Sequence, residues 1–447
     1  MSIIDRKRLD STTFKLDADR MRRGWYSDKY FCNIAEMLTA MSKSGYCYKG
    51  DSPRLKSFNL PGGICSGDLE VEMQVFTRRR GATIAVGLDK SLAMLKMCTG
   101  YWEGDKFIDT SANLDVWAVH DGEIIQGNGD PLRVEPVMRI RGRYRDFAIL
   151  ETAMLGVLTR SSRVATNVYN TLIAAHGKPV LFFPARFDLH EVQAADGYAY
   201  NIAVQRFNKD FAGRLPTFIS TDAQGDWWGG EGGGTVAHSA IACFFGDTAE
   251  AMLAFSTVLP PSIPRIALVD FNNDCVTDSI AVARILFMKY RELVESGNQS
   301  EADRYILYGV RLDTGASLRD VSVPPLGDLA LDMGVTPRLV FNVRQAMDHA
   351  WEAWDLPQKW QQPACDYCRK IKIVVSGGFK PDKIEKFERL GVPVDIYAVG
   401  SSLFENHDYT VTDYTADVVR VKVQGEWLDL AKVGRKSCEN SALEKVW

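Results

Sequence analysis

From residue 180 onward, short continuous apolar runs alternate with longer stretches of helical periodicity, and no other feature constrains the fold as tightly. The runs are Val180-Leu181-Phe182-Phe183, Ile266-Ala267-Leu268-Val269, Ile306-Leu307-Tyr308-Gly309-Val310, Ile371-Lys372-Ile373-Val374-Val375 and Val394-Asp395-Ile396-Tyr397-Ala398. Helical patterns cover 236–254, 277–293, 338–354 and 383–390. A strand that is apolar on both faces and flanked by helices belongs to a parallel sheet covered on both sides. With at least five such units, residues 151–404 are expected to form an irregular β/α barrel, with its chemistry at the ends of the strands.

The preceding region reads differently. Leu69-Glu70-Val71-Glu72-Met73-Gln74-Val75-Phe76-Thr77 alternates apolar and polar residues, the pattern of a half-buried strand. Short strands are expected at 83–86, 114–119 and 132–140, with a helix at 89–97. Residues 20–38 read as a helical region carrying Trp25, Tyr26, Tyr30 and Phe31, and Pro61-Gly62-Gly63 is a loop signal. Residues 147–175 have helical spacing and are expected to form two helices meeting near 160–163. The tail at 410–427 returns to strand alternation. Residues 1–150 together with 405–447 are therefore expected to form an α+β, open-sandwich-like domain, giving an α/β protein of two domains. A length of 447 residues suits this division.

Charge and cysteine usage narrow the class. Lys plus Arg number 53 and Asp plus Glu 57, a formal net charge of −4. That argues against nucleic acid as a partner while leaving room for a local basic pocket. Nine cysteines, an odd number and mostly scattered, point to a reducing compartment. The start, Met1-Ser2-Ile3-Ile4-Asp5-Arg6-Lys7-Arg8, has no signal-peptide apolar core, and no apolar run is long enough for a membrane span. A cytoplasmic protein without a membrane partner is expected. Cys365-Asp366-Tyr367-Cys368 is a lone pair without further ligands at finger spacing, so it reads as reduced thiols.

Several strand ends carry chemistry. After the 371–375 run comes Ser376-Gly377-Gly378, then Phe379-Lys380-Pro381 opening a helix; the next run ends Val399-Gly400-Ser401-Ser402. Glycines admit close approach of a ligand and helix starts offer unpaired amides, so the two loops either hold a phosphate from two sides or are ordinary tight turns. Arg311 and Asp313 alternate at a third strand end, where Arg suits a phosphate or carboxylate and Asp a ribose hydroxyl or metal-bound pyrophosphate; a rim salt bridge is the other reading. Asp270 stands at a fourth, with Asp274 and Asp278 beyond it. His238 lies in Gly234-Thr235-Val236-Ala237-His238-Ser239, where Thr235 is placed to cap a helix. It reads as a phosphoryl acceptor, nucleophile or phosphate ligand, or else as a helix-start His bonded to a nearby carbonyl.

The ordered set of 234–239, 309–315, 376–378 and 399–402 resembles the nicotinate phosphoribosyltransferase family, one of the type II phosphoribosyltransferases. Gly24-Trp25-Tyr26-Ser27-Asp28-Lys29-Tyr30, the segment 71–88, Arg163-Val164-Ala165-Thr166-Asn167, and 183–200 with Arg186 and Asp196-Gly197 add to a likeness covering about 20–425. The resemblance implies a sandwich-like domain packed with an irregular α/β barrel, and a homodimer or dimer-based oligomer. It implies transfer of the phosphoribosyl group from phosphoribosyl pyrophosphate to nicotinate in NAD biosynthesis, with ATP as co-substrate, Mg2+ as cofactor and His238 phosphorylated. By the same likeness Asp270 and Asp313 contact ribose or metal-bound water. Ser376, Gly377, Gly378, Gly400 and Ser401 hold the 5-phosphate, Arg186 and Arg311 bind carboxylate and phosphate, Tyr30 stacks on the pyridine, and Thr235 and Ser239 border the substrate. Nicotinamide or another pyridine is the alternative substrate, and a catalytically silent homologue the alternative class. The sequence departs from the family where 218–231 carries Trp227-Trp228 and lacks the usual Asn, where Gly378 replaces an acid, and where Ser401 replaces Thr.

Overall fold

The strand Glu70–Thr77 organises the first unit of the computed structural model, which describes residues 6–56, 63–407 and 410–447. It pairs antiparallel with Tyr414–Val423 on one side and with Met138–Arg143 on the other. The full sheet runs Glu426–Asp429, Tyr414–Val423, Glu70–Thr77, Met138–Arg143, Asp115–Ala118, Glu444–Lys445. The 410–427 tail thus returns to the centre of this sheet. The Pro61-Gly62 part of the loop signal and the first five residues lie outside the described residues.

The alternation at 69–77 implied a strand wet on one face, but residues 71–77 are all buried. The polar positions are satisfied by neighbours instead of water. Glu72, fully buried, accepts from Arg141 Nε at 2.6 Å and from Ser437 Oγ at 3.1 Å, with Arg139 and Arg420 each 3.6 Å away. Gln74 donates to the Lys436 carbonyl at 2.9 Å and accepts from the Cys438 amide at 3.0 Å. A buried carboxylate is tolerable because three guanidinium groups surround it.

Glu151–Ala174 is one continuous helix rather than the two expected. No proline or backbone break falls at 160–163, and the helix hydroxyls there are employed. Ser162 Oγ accepts from the Val86 amide and Thr166 Oγ1 from the Ile84 amide, both at 3.0 Å, so the helix satisfies amides of strand Gly81–Ala85 and the residue that follows it. The first unit comprises Met1–Tyr169, Tyr198–Lys209 and Glu405–Trp447. The boundary expected at residue 150 therefore falls inside the helix, because Leu150, Met154 and Leu158 pack into the sheet's apolar core. Tyr198–Lys209 joins it through Tyr198 Oη, which donates to Asp121 at 3.2 Å, and Arg206, which donates to the Gly122 carbonyl at 3.3 Å. The 20–38 helical region is two helices, Ala18–Arg22 and Lys29–Lys43, parted at Gly24 with its φ of +67°.

The second unit, Asn170–Gly197 with Asp210–Phe404, contains the expected β/α alternation. Its strands lie in the order Val180–Phe182, Ile396–Val399, Lys372–Val375, Leu307–Leu312, Arg265–Leu268, and every ladder is parallel. Single bridges from Phe182 to Ile219 and from Ile219 to Gly232 carry the pairing beyond the first of these. Among the described residues the ladder does not close, and its irregular side is this 219–232 flank. The 236–254 helix is broken into His238–Cys243 and Thr248–Val258 by left-handed Phe245 and Gly246; Asp247 caps the second piece, accepting from the Glu250 amide at 2.9 Å. Cys365 and Cys368 are buried on helix Gln358–Lys370. No helix among the described residues is long and apolar enough to cross a membrane.

Replacing Glu72 by Gln would take from Arg141 its carboxylate partner and leave Arg139 and Arg420 only their outer partners, Glu439 and Asp429. The expected loss is about 3 kcal/mol, read as a lowered denaturant midpoint at unchanged slope.

Candidate active site

Parallel pairing brings the carboxyl ends of the five strands to one edge, since Leu312 lies beside Val375 and Val399 beside Phe182. The residues immediately after each strand are therefore neighbours in space despite wide separation in sequence. They surround a cavity of about 470 Å³ lined by Phe183, Arg186, Ser220, His238, Arg311, Asp313, Ser376, Gly377, Gly378, Gly400 and Ser401, among others. Nine of the site residues expected from sequence line it together.

The loops are bonded to one another. Ser376 donates from its amide to the Leu312 carbonyl at 2.9 Å and from Oγ to Asp313 Oδ1 at 2.8 Å. Gly377 and Gly378 have φ of +84° and +68°, so each turns its amide in a way a side-chain-bearing residue resists. A Cβ at Gly377 would sit 3.3 Å from Asp313 Oδ1, and one at Gly400 2.7 Å from the Phe187 ring. Ser402 Oγ donates to the Phe379 carbonyl at 2.9 Å, joining the second loop to the first.

Besides Asp313, two guanidinium groups and one imidazole face this surface. Arg311 is largely buried; its Nη2 donates to the Val236 carbonyl at 3.4 Å, its guanidinium lies 5.8 Å over the Phe183 ring, and its Nε has no partner. Burial lowers its pKa, opposed by Asp313 and Asp270. A guanidinium with an unused donor on a cavity wall suits an anionic ligand. Arg186, more exposed, stacks 5.4 Å from the Phe187 ring. His238 Nε2 lies 3.0 Å from Asp270 Oδ1, and since an ionised carboxylate only accepts, the imidazole then carries its proton on Nε2. Burial raises the Asp270 pKa; His238 opposes the rise and Asp313 adds to it.

Other expected residues fall elsewhere. Asp270 supports His238 without lining the cavity. Thr235 does not cap the following helix: Ala237, in extended conformation, occupies the cap position without a side-chain bond. Ser239 is exposed on that helix and, like Thr235, is outside the cavity wall. Tyr30 is 57% exposed in the first unit, donating to Asp28 at 3.2 Å. Asp274 caps helix Cys275–Glu295, and Asp278 accepts from Thr248 at 3.1 Å, so both are structural. Among the described residues, no three His, Cys, Asp or Glu side chains group to hold a metal ion. Phe183, Phe187, Ser220 and Phe379 line the cavity without having been singled out from sequence. Phe183 could have been found as the residue directly after a strand; Ser220 had no such marker, because its segment enters the sheet through one bridge at Ile219.

The chain superposes on the crystal structure of nicotinate-nucleotide pyrophosphorylase from Pyrococcus furiosus with a TM-score of 0.61 and 23% identity, over 96% of this chain and 85% of that one. The human nicotinic acid phosphoribosyltransferase gives 0.50 and 15%, over 88% and 74%. Residues 60–162 match the family model described as quinolinate phosphoribosyl transferase, N-terminal domain. The fold is that of the type II phosphoribosyltransferases. Within that fold, the cavity at the strand ends is where loops from separate β/α units converge.

Gly377→Ala would force a left-handed alanine against Asp313. The expected cost is about 1–2 kcal/mol, seen as a lower unfolding temperature, whereas replacing exposed Gly391, which has open space around it, would show only the backbone part of that loss.

Proposed function

We propose that this protein transfers the 5-phosphoribosyl group of phosphoribosyl pyrophosphate to nicotinate, giving nicotinate mononucleotide and pyrophosphate in NAD biosynthesis. The observation that carries the reading is an imidazole, His238, bonded to a largely buried carboxylate at the rim of a cavity whose other walls are two glycine–hydroxyl loops and two arginines. The family model and the two superposed structures support pyridine phosphoribosyl transfer as the general class.

The chemistry follows from the residue types. The pyridine nitrogen attacks C1 of the ribose as the C1–O bond to pyrophosphate breaks, and the leaving group takes the bonding pair. No proton moves, because the nitrogen becomes a pyridinium. Catalysis then consists of positioning and charge stabilisation. The 376–378 loop with Gly400 and Ser401 would hold the 5-phosphate through amides and hydroxyls. Arg311 and Arg186 would pair with the nicotinate carboxylate and a phosphate, and Phe183 offers a flat apolar wall for the ring. Asp313, oriented by Ser376, would accept from ribose hydroxyls. Tyr30 would stack on the pyridine bound by a second copy, in a homodimer.

Coupling to ATP assigns His238 a second task. With Nε2 held by Asp270, the Nδ1 lone pair accepts the γ-phosphoryl group, ADP leaves, and water later returns the imidazole with release of phosphate. Mg2+ would neutralise the departing pyrophosphate. The two carboxylates present, Asp270 and Asp313, are already bonded to His238 and Ser376, which suits an ion carried mainly by substrate oxygens and water.

A second reading, quinolinate as the pyridine, draws on the N-terminal family match. Purified protein incubated with phosphoribosyl pyrophosphate, Mg2+ and nicotinate, nicotinamide or quinolinate, with and without ATP, separates the cases. Nicotinate mononucleotide formed faster with ATP is expected. His238→Gln should abolish the ATP stimulation and the phosphorylated protein mass, and Asp313→Asn should lower kcat/KM by about 100-fold. Product from another pyridine alone would overturn the substrate, and no product at all would overturn the activity.

A further inference from the structure

We propose that Lys383 is a positioning residue for the 5-phosphate, supplying from behind the 376–378 loop a positive charge that tightens binding of phosphoribosyl pyrophosphate. The proposal rests on the reading of that loop as the phosphate site. Lys383 was not among the residues singled out from sequence, and it does not line the cavity. Its role would be exerted through the loop.

The geometry is specific. Lys383 stands in the first turn of helix Pro381–Arg389, which opens directly after the loop. Its half-buried Nζ donates to the Gly377 carbonyl at 3.4 Å and lies 4.1 Å from the Phe379 ring centroid and 5.8 Å from that of Phe387. Gly377 and Phe379 both line the cavity. Among the described residues, no carboxylate forms an ion pair with this ammonium; its partners are one carbonyl and two aromatic faces. A lysine in such a place, with no carboxylate partner among the described residues and partly desolvated, is suited to an anion arriving on the far side of the carbonyl it holds. Bonded to the ammonium, the Gly377 carbonyl would repel a phosphate held by the loop less strongly.

Burial, with Lys386 adding to it, lowers the Lys383 pKa to about 8. Lys386, on its own helix, is the charged group that acts on it; of the titratable groups on neighbouring elements, Asp313 lies 3.3 Å from where a Gly377 Cβ would stand, and Tyr397, whose ring packs against Phe379, donates from its hydroxyl to Glu388. A lysine with a lowered pKa is cationic below that value and loses its charge as pH rises through it. Free protein would therefore lose affinity for the phosphate above neutrality, over a range where the substrate's own phosphate stays dianionic.

The test is calorimetric titration of phosphoribosyl pyrophosphate with Mg2+ into wild type, Lys383→Met and Lys383→Arg at several values from about pH 7 to 9.5, with steady-state kinetics in parallel. At pH 7 the Met variant should bind about tenfold more weakly, with kcat changed less than about twofold. Wild-type affinity should fall as pH rises, the Met variant should be flat and weak, and the Arg variant, which stays charged, flat and tight. A structural role alone would not produce a pH dependence that Arg abolishes with affinity retained. If wild type binds while the Met variant binds equally well with the same pH profile, the Lys383 assignment is overturned and the phosphate-loop reading stands. If wild type does not bind phosphoribosyl pyrophosphate, both fall.

Discussion

The common direction of five buried strands is the constraint on which the site depends. Because every ladder in the second unit is parallel, the residues following Phe182, Leu268, Leu312, Val375 and Val399 are delivered to one edge. Parallel strands need crossovers, the crossovers here are helices, and helices on the faces require the strands to be apolar on both sides. The hydrophobic demand that makes the runs legible also confines polar chemistry to the first residues after each run. Arg311 is the exception inside a strand, and it is largely buried with a donor left unused.

The loops do not simply sit side by side. Ser376 ties its loop to Asp313, Ser402 ties the following loop to Phe379, and His238 is tied to Asp270. Each bond links a residue after one strand to another segment of the same edge, so the edge is held by polar bonds between its loops. Buried polar groups are stable only when satisfied, and the low-dielectric surroundings that strengthen their bonds also shift their titration, as the raised Asp270 and lowered Arg311 show. In the first unit the same principle serves structure alone: Glu72 is tolerated at a sheet centre because three arginines close around it.

The legible parts of the sequence were those with strong periodicity. All five apolar runs are strands, displaced by no more than a few residues, and helices 277–293 and 383–390 are present as Cys275–Glu295 and Pro381–Arg389. Eight of the nine expected site residues that share one cavity follow such runs within a few positions; His238, at the start of a helix, does not. The errors have a different origin. Glu72 and Gln74 were read as solvent-facing because alternation cannot distinguish water from an arginine as a polar partner. The single helix 151–174 was split because its polar residues look like a break, when Ser162 and Thr166 are bonded to edge amides of another segment. Thr235 is of a type that favours a cap, but the helix starts later and its cap position falls two residues on, at Ala237.

The sequence by itself determined where chain direction and burial repeat: short doubly apolar strands, the helices between them, and the glycine and hydroxyl residues that end them. Those are local consequences of hydrophobic patterning and backbone freedom. Only the tertiary structure decided which polar groups meet. That His238 finds Asp270 and not a carbonyl, and that Asp313 is held by Ser376, are outcomes of strand order and register. Pairings between residues tens of positions apart leave no periodic trace in the chain.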